Sequence, residues 1–233
     1  MQRIGDSLKD KRVLITQSKD FMGPSLCNEF KKYGSLVIDS DQPLISNTVI
    51  ENLAKDVGDV DIIIANLVSP VTGNLIFDTT DLEWYNHFRY MVNPLPLLAK
   101  KFMPAMINKG QGKMIVMSSI TAIRTTPNAV HQNVGAGYAA ARGAQLSWVQ
   151  SAGAEMAKHN VQINAVAQGF IDNPTFYPQH IKDQDYFKKQ LALIPANRLG
   201  KSEECTALVA FLACDQANFF VGQTFPVSGG WVT

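Results

Sequence analysis

The chain has 233 residues and a formal net charge of +1, which is enough length for one α/β domain with a large core. Because its basic and acidic residues are interspersed, the pattern indicates neither a nucleic-acid partner nor an anionic membrane surface, so we expect a small-molecule partner. The first residues form no apolar leader and no segment approaches the roughly 18 apolar residues of a membrane span, which predicts a cytoplasmic protein.

Short apolar runs alternate along the chain with longer segments of helical periodicity. The predicted strands are Arg12–Thr16, Leu36–Asp39, Asp61–Asn66, Lys113–Ser118, Val161–Ala167 and Thr224–Val227. The predicted helices are Met22–Tyr33, Asp81–Asn108, Gly137–His159 and Lys201–Cys214. This alternation predicts a doubly wound parallel sheet of about six to seven strands with helices on both faces, in a single α/β domain over residues 1–233. The stretch from Ser40 to Gly58 has room for one helix and at most a vestigial strand.

The three cysteines, Cys27, Cys205 and Cys214, occur at spacings that match neither a disulfide framework nor a zinc site. We expect buried, reduced thiols. The sequence therefore predicts no metal centre.

The first strand leads into a helix through the stretch VLITQSKDFMGPSL, residues 13 to 26. A dinucleotide-binding protein carries glycines in such a turn, because glycine lets the backbone approach a pyrophosphate. Here Gln17 and Phe21 occupy two places where glycine is expected. The benzyl group of Phe21 would fill the volume that a pyrophosphate needs, so the sequence predicts that no dinucleotide cofactor binds.

Three residues that follow the fourth predicted strand carry acid–base chemistry. Tyr138 and Arg142 are four positions apart on a predicted helix and share one face, while Ser119 directly follows a strand whose carboxyl end faces the same cleft. A phenol ordinarily ionises with a pKa of about 10, and a fixed guanidinium favours its phenolate. Tyr138 is thus a candidate base and Ser119 a candidate holder of a substrate hydroxyl, although such a Tyr–Arg pair is also common on ordinary helix surfaces.

The chain resembles the short-chain dehydrogenase/reductase superfamily over almost its whole length. The matching stretches, in order, are DIIIAN at 61–66, Asn93 within MVNPL, Ser118–Ser119, YAAAR at 138–142, VQINAVAQGF and GQTFPVSGGW. The resemblance implies a Rossmann-like fold. Two departures stand out, because Arg142 replaces the Lys of the superfamily's Ser, Tyr and Lys pattern, and only Gly23 remains of its three turn glycines. Together they resemble the halohydrin dehalogenases, a cofactor-independent branch, and within it the short-C-terminus (B-like) type.

That resemblance implies a lyase that converts vicinal halohydrins into epoxides and halide without a cofactor. Tyr138 would remove the hydroxyl proton, Ser119 would hold that oxygen and Arg142 would favour the phenolate. The reverse reaction would open epoxides with small anions, so the implied ligands are a halohydrin or epoxide and chloride, bromide, azide, cyanide or nitrite. The implied assembly is a homotetramer. The positions that match the halide and substrate pocket are Phe21, Gln168, Gly169, Phe170, Ile171, Phe176 and Tyr177.

One ambiguity concerns the serine. The branch places it thirteen residues before the tyrosine, which is Thr125 here, whereas Ser119 is nineteen before Tyr138. We prefer Ser119 because it keeps the strand-end register, which leaves an insertion within Thr125–Gly137 as a loop at the mouth of the site, where substrate range is set. His131 within that loop is expected to be solvated rather than catalytic.

Two other functions stay open at this point. The first is a nicotinamide-dependent reductase with a degenerate cofactor motif, in which Asp39 would bind an adenosine ribose and Asn93 would complete the reductases' catalytic set. The second is a catalytically silent scaffold, against which the intact Ser119, Tyr138 and Arg142 argue. Trp231 is a candidate contact with a neighbouring subunit.

Overall fold

A computed structural model describes residues 4–70, 74, 76–125 and 135–232. Its six-stranded sheet is parallel throughout, with the order β2-β1-β3-β4-β5-β6. The strands are β1 (Arg12–Thr16), β2 (Leu36–Ser40), β3 (Ile62–Asn66), β4 (Gly112–Ser119), β5 (Val161–Gln168) and β6 (Thr224–Val227). The predicted doubly wound parallel sheet is confirmed, and each strand begins and ends within one residue of its prediction.

The helices cover both faces of this sheet. They are α1 (Ile4–Leu8), α2 (Gly23–Lys32), α3 (Asn47–Val57), α4 (Asp81–Met91), α5 (Pro94–Lys109), α6 (Ala136–Met156), α7 (Gln179–Lys182), α8 (Asp185–Leu191) and α9 (Ser202–Ala213). One core cluster packs α2 and α9 against alternate strand residues such as Val13 and Ile64. The other packs α3, α5 and α6 against the neighbours that point the opposite way, such as Leu14 and Ile63, as the two-residue period of a strand requires.

The predicted helix Asp81–Asn108 is wrong as one element, because the structure divides it into α4 and α5. Pro94 opens α5 and has no backbone N–H with which to continue the ladder of α4. The N–H groups of Val92 and Asn93 both donate to the carbonyl of Phe88, which closes α4. Between β2 and β3, where the sequence had room for one helix, the structure forms α3, capped by the hydroxyl of Ser46, and no strand.

The carboxyl ends of the four central strands lie side by side and carry the polar residues that organise the site. Asn66 ends β3, and its side-chain amide donates to the carbonyls of Gln17 (3.0 Å) and Asp20 (2.9 Å). Thr16 donates through its hydroxyl to the carbonyl of Asn66 (3.2 Å). The turn after β1 is therefore tied to β3 and held in one position relative to the strand ends.

Other sequence expectations concern cysteines, metals and membranes. The three cysteines are buried and unpaired, as predicted, and burial raises the pKa of Cys205 to about 12. Among the described residues there is no cluster of His, Cys, Asp and Glu side chains able to hold a metal ion. Within the same residues, every helix is too short or too polar to span a membrane. Most of the Thr125–Gly137 insertion, including His131, lies outside the described residues.

Candidate active site

A cavity of about 510 Å³, counted with its open mouth, lies at the carboxyl ends of β1, β4 and β5. Of the ten site residues predicted from the sequence, all but Arg142 line it, and Arg142 lies directly behind the wall formed by Phe21 and Tyr138. The lining residues are Phe21, Ser119, Ile120, Thr121, Tyr138, Gln168, Gly169, Phe170, Ile171, Asn173, Phe176 and Tyr177. The structure thus brings the predicted residues together, while their chemical roles stay predictions.

The turn after β1 keeps the backbone shape of a glycine turn without two of the glycines. Gln17 has φ of +43° and Phe21 has φ of +54°, both in the left-handed region. A Cβ on Gly23 would lie 2.4 Å from the carbonyl oxygen of Ser18, so that position accepts only glycine. Side chains in the left-handed region cost on the order of 1–3 kcal/mol each and persist where the surroundings impose them, often at functional sites.

The ring of Phe21 occupies the interior of this turn. Its side chain is 3% exposed, packs edge to face on Phe176 with ring centroids 5.4 Å apart, and lies 5.5 Å from Cζ of Arg142. Its backbone N–H donates to the hydroxyl of Thr175 (2.7 Å). An N–H group that could have met a phosphate therefore bonds to the chain itself.

Gln17 closes the other side of the turn. It is buried, its Oε1 accepts from the backbone N–H of Val68 (2.7 Å), and its Nε2 donates to the Val68 carbonyl (3.1 Å). These two bonds fasten the turn to the chain that follows β3. A dinucleotide needs open backbone at this turn, and the side chains of Gln17 and Phe21 occupy that space, so the residues present do not fit such a cofactor.

Ser119 ends β4 and faces the cavity next to Thr121. Its Oγ accepts two hydrogen bonds, from the backbone N–H of Thr121 (3.2 Å) and from the Thr121 hydroxyl (3.0 Å). A serine oxygen has two lone pairs, so the remaining capacity of Ser119 is to donate its own proton. This arrangement suits a hydrogen bond from Ser119 to a substrate oxygen. The sequence reasoning missed Thr121, for which the only signal was a second hydroxyl residue directly after the strand.

Tyr138 and Arg142 lie on the first turns of α6, and both are buried. The guanidinium lies over the phenol ring, with Cζ 5.0 Å from the ring centroid. Its Nη1 donates to the carbonyl of Met117 (2.8 Å) and to Oε1 of Gln145 (3.0 Å), whereas Nε and Nη2 have no hydrogen-bond partner among the described residues. Gln145, which the sequence reasoning did not single out, holds the guanidinium and itself donates to the carbonyl of Met91 (2.7 Å).

Asn93, the residue that the reductase alternative needs in its catalytic set, does not line the cavity. It is exposed at the junction of α4 and α5 and makes no side-chain cap. Met91, two positions earlier, is buried in one cluster with Tyr138. Asp39, the other residue of that alternative, is exposed at the end of β2.

The loop after β5 forms the far wall. A Cβ on Gly169 would overlap the side chain of Ile120, so glycine lets this loop approach β4 closely. Asn173 fixes the following turn, since its Nδ2 donates to the carbonyl of Ile171 and its Oδ1 accepts from the N–H of Phe176. Burial raises the pKa of Tyr177, the proximity of Tyr138 raises it further, and a hydrogen bond from the Phe170 backbone opposes both. Tyr177 therefore presents a neutral hydroxyl.

Comparison with known proteins agrees with this fold. Residues 13–232 match the family model described as enoyl-(acyl carrier protein) reductase. The 3-oxoacyl-(acyl-carrier-protein) reductase of Salmonella typhimurium is 33% identical over 195 residues, which cover 84% of this chain and 76% of that protein.

Two solved structures share the fold at low identity. One is described as a dehalogenation enzyme, with a TM-score of 0.84, 24% identity and coverage of 97% of this chain and 100% of that one. The other is a short chain dehydrogenase from Leptospira borgpetersenii with bound NAD+, with a TM-score of 0.85, 19% identity and coverage of 100% and 97%. The family model and the Salmonella relative together establish that this chain belongs to the short-chain dehydrogenase/reductase superfamily.

Proposed function

We propose that this chain is a cofactor-independent dehalogenase that converts vicinal halohydrins into epoxides and halide. The observation that carries the proposal is the ring of Phe21, which fills the turn where the family's reductases bind their cofactor and at the same time walls the cavity that contains Ser119 and Tyr138. A site with an acid–base tyrosine and no room for a hydride carrier suits a reaction that needs only proton transfer and displacement.

The proposed reaction is an internal displacement. The Tyr138 phenolate takes the proton of the substrate hydroxyl, the oxygen forms a bond to the neighbouring carbon, and the carbon–halogen bond breaks with its electron pair leaving on the halide. Ser119 donates a hydrogen bond to the substrate oxygen, and the positive charge of Arg142 favours the phenolate. Tyr138 then returns its proton to water at the cavity mouth. Because both reacting groups belong to one molecule, the protein contributes mainly orientation.

The halide would lie against the aromatic wall. Phe21 and Phe176 meet edge to face, and Ile171 lies beside them in the cavity. The edges of aromatic rings are positive, and a halide is large and weakly hydrated, so an apolar pocket with ring edges suits it. The reverse reaction, epoxide opening by small anions such as azide, cyanide or nitrite, would use the same pocket.

The second candidate is a nicotinamide-dependent reductase, and the curated relatives favour it. The matched family model and the Salmonella relative are both described as reductases of acyl-carrier-protein substrates. Three features of this chain oppose it, namely the Phe21 ring in the turn, the Gln17 bonds to Val68 and the exposed position of Asn93. Titration with NADH and NADPH, followed by their fluorescence, separates the candidates, because micromolar binding would favour the reductase.

The direct test is halide release from several vicinal chloro- and bromo-alcohols without cofactor. We expect wild type to release halide and Tyr138→Phe to lose at least about a thousandfold in kcat, the upper part of the range for general-base catalysis. Tyr33→Phe is the matched control, since Tyr33 lies at the end of α2 and does not line the cavity. Absence of release from every alcohol, or equal release by wild type and Tyr138→Phe, would sink the proposal.

The proposal includes a homotetramer. Leu82, Trp84 and Tyr85 place large apolar side chains on the exposed face of α4, and such a surface is typical of a subunit contact. Sedimentation measurements would test it, and a monomer at micromolar concentration would contradict it.

A further inference from the structure

A buried pair of titratable side chains lies behind Tyr138, on the neighbouring helix α4. Glu83 and His87 are one helical turn apart, with Glu83 Oε1 3.6 Å from His87 Nε2, and their side chains are 3% and 0% exposed. Burying such groups is costly unless something compensates them. Neither residue lines the cavity, so the reaction described above does not use them.

Glu83 is held as a hydrogen-bond acceptor. Its Oε1 accepts from the backbone N–H of Asn74 (2.8 Å), and its Oε2 accepts from the Asn74 side-chain amide (2.7 Å). Its own N–H donates to the hydroxyl of Thr80, which caps α4. Two donors on two oxygens suit a carboxylate, which can only accept. The hydrogen bonds therefore suit Glu83 as an acceptor through both oxygens.

His87 lies between this carboxylate and the catalytic helix. Its ring centroid is 6.0 Å from that of Tyr138, at an angle of 80°, and a Cβ on Gly137 would lie only 3.1 Å from His87 Cδ2. Burial lowers the pKa of His87, the nearby charge of Arg142 lowers it further, and Glu83 opposes both. The imidazole is thus neutral near neutral pH and within the electrostatic reach of both charges.

Arg142 needs a counter-charge and none is bonded to it. Among the described residues it forms no ion pair, and two of its three guanidinium nitrogens have no hydrogen-bond partner. Glu83 is a buried carboxylate that lies against His87, whose ring in turn packs on that of Tyr138. The charged and titratable groups that face the cluster are Glu83 and His87 from α4, Tyr138 and Arg142 from α6, and Tyr177 from the loop after β5.

We propose that Glu83 is the counter-charge of Arg142 and, with the neutral ring of His87 as the packed layer between them, a positioning residue that sets how readily Tyr138 ionises. The catalytic consequence rests on the proposed function. Arg142 favours the phenolate and Glu83 disfavours it. Their balance lets Tyr138 both take a proton from a hydroxyl and give it back to water, since a general base works best when it ionises near the working pH.

The test measures ionisation without substrate. Near-ultraviolet absorbance of tyrosinate is followed against pH for each variant and for the same variant carrying Tyr138→Phe, and the difference isolates Tyr138. We expect Glu83→Gln to move the ionisation of Tyr138 to lower pH by about one unit, as loss of one nearby charge in partly buried surroundings predicts. Glu83→Asp keeps the charge and should stay nearer to wild type. Glu155→Gln, at an exposed position of α6, is the matched control and should cause no shift.

Two outcomes would overturn the proposal. One is a folded Glu83→Gln protein in which Tyr138 ionises at the same or a higher pH. The other concerns His87→Phe, which keeps an aromatic ring and removes the titrating group. We expect kcat for halide release to fall by no more than about threefold, because the phenyl ring keeps the edge-to-face packing on Tyr138. A loss as complete as that of Tyr138→Phe would mean that the imidazole carries the proton.

The experiment separates this proposal from the proposed function. If wild type releases no halide but Glu83→Gln shifts the ionisation of Tyr138, the dehalogenase fails and the charge balance stands. If wild type releases halide and the ionisation does not move, the dehalogenase stands and Glu83 is only structural.

Discussion

The turn after β1 and the first turns of α6 face each other across the cavity, and both depart from the family's pattern, the turn at Gln17 and Phe21 and α6 at Arg142. In α6, Arg142 replaces a lysine, so the positive charge beneath Tyr138 is kept. In the turn, Phe21 replaces a glycine, so the left-handed backbone is kept and the space is lost. On the proposed function, the proton-transfer half of the site is kept, while the side chains of Gln17 and Phe21 fill the cofactor half.

The two departures also contact each other. Cζ of Arg142 lies 5.5 Å from the centre of the Phe21 ring and 5.0 Å from that of Tyr138. A guanidinium is planar and weakly hydrated, so it packs on aromatic faces better than an ammonium group does. An arginine is therefore the cation that suits a turn filled by phenylalanine, which connects the two substitutions physically.

The largest expected effect is in the catalytic half. Arg142→Met keeps an apolar chain of similar length and removes the charge that favours the phenolate. We expect halide release to fall about 100- to 1000-fold in kcat, within the range of general-base catalysis, with a smaller change in KM. Halide release by Arg142→Lys should fall less, because lysine keeps the positive charge, although it loses the packing on Phe21. Equal activity of Arg142→Met and wild type would show that the charge plays no part.

The next largest effect tests the shape of the turn. Gly23→Ala places a methyl group 2.4 Å from the Ser18 carbonyl oxygen and 2.7 Å from that of Gln17, both of them backbone atoms. We expect the free energy of unfolding in urea to fall by about 3 kcal/mol. Gly143→Ala in α6, where an added Cβ meets nothing within 4 Å, is the control and should instead stabilise the helix by about 0.5–1 kcal/mol. Tolerance of Gly23→Ala would mean that the turn is not rigid.

Phe21→Gly directly tests the turn that the Phe21 ring fills. Removing a buried ring costs about 3–5 kcal/mol, and relief of the left-handed backbone returns about 1–3, so we expect a net loss of about 2 kcal/mol in unfolding free energy. Halide release should fall about tenfold through loss of the aromatic wall, within the contribution of one or two packing contacts. Phe219→Gly, at a fully exposed position, should change neither.

The double variant Gln17→Gly/Phe21→Gly restores glycine at both altered positions of the turn. If these side chains are what excludes a dinucleotide, NADH binding should become measurable by fluorescence in the double variant and stay absent in wild type. NADH binding by wild type would contradict this interpretation, because the cofactor half of the site would then be intact.

The sequence predicted the sheet well because buried parallel strands are short apolar runs that depend little on distant contacts. It also predicted which residues meet at the cavity, since motif residues directly after parallel strands must share one edge. It joined α4 and α5 because their apolar periodicity continues across Asn93, although Pro94 was a visible break. Asn93, which the family resemblance gave to the reductase alternative, is exposed at this break, whereas Met91 is buried in one cluster with Tyr138.

Other features depend on tertiary contacts that no local pattern reveals. In the sequence, Glu83 and His87 have the i, i+4 spacing of an ordinary helix pair. Only the close packing of α4 on Gly137 brings them to Tyr138. Gln145 has the right spacing to reach Arg142, but nothing in the sequence shows that the guanidinium lacks a carboxylate. These are the residues that structure adds to the site.

The smallest expected effect concerns the direction of the Ser119 hydroxyl. Thr121→Val keeps the volume and removes one of the two hydrogen bonds that Ser119 Oγ accepts, while the bond from the Thr121 backbone remains. One such bond is worth about 0.5–1.5 kcal/mol, so kcat/KM for halide release should fall about two- to tenfold. Thr121→Ser keeps the hydroxyl and should recover most of that loss. If halide release by Thr121→Val equals that of wild type, the backbone N–H of Thr121 alone orients the Ser119 hydroxyl. The catalytic half of the site would then depend on fewer side chains than the turn filled by Gln17 and Phe21 does.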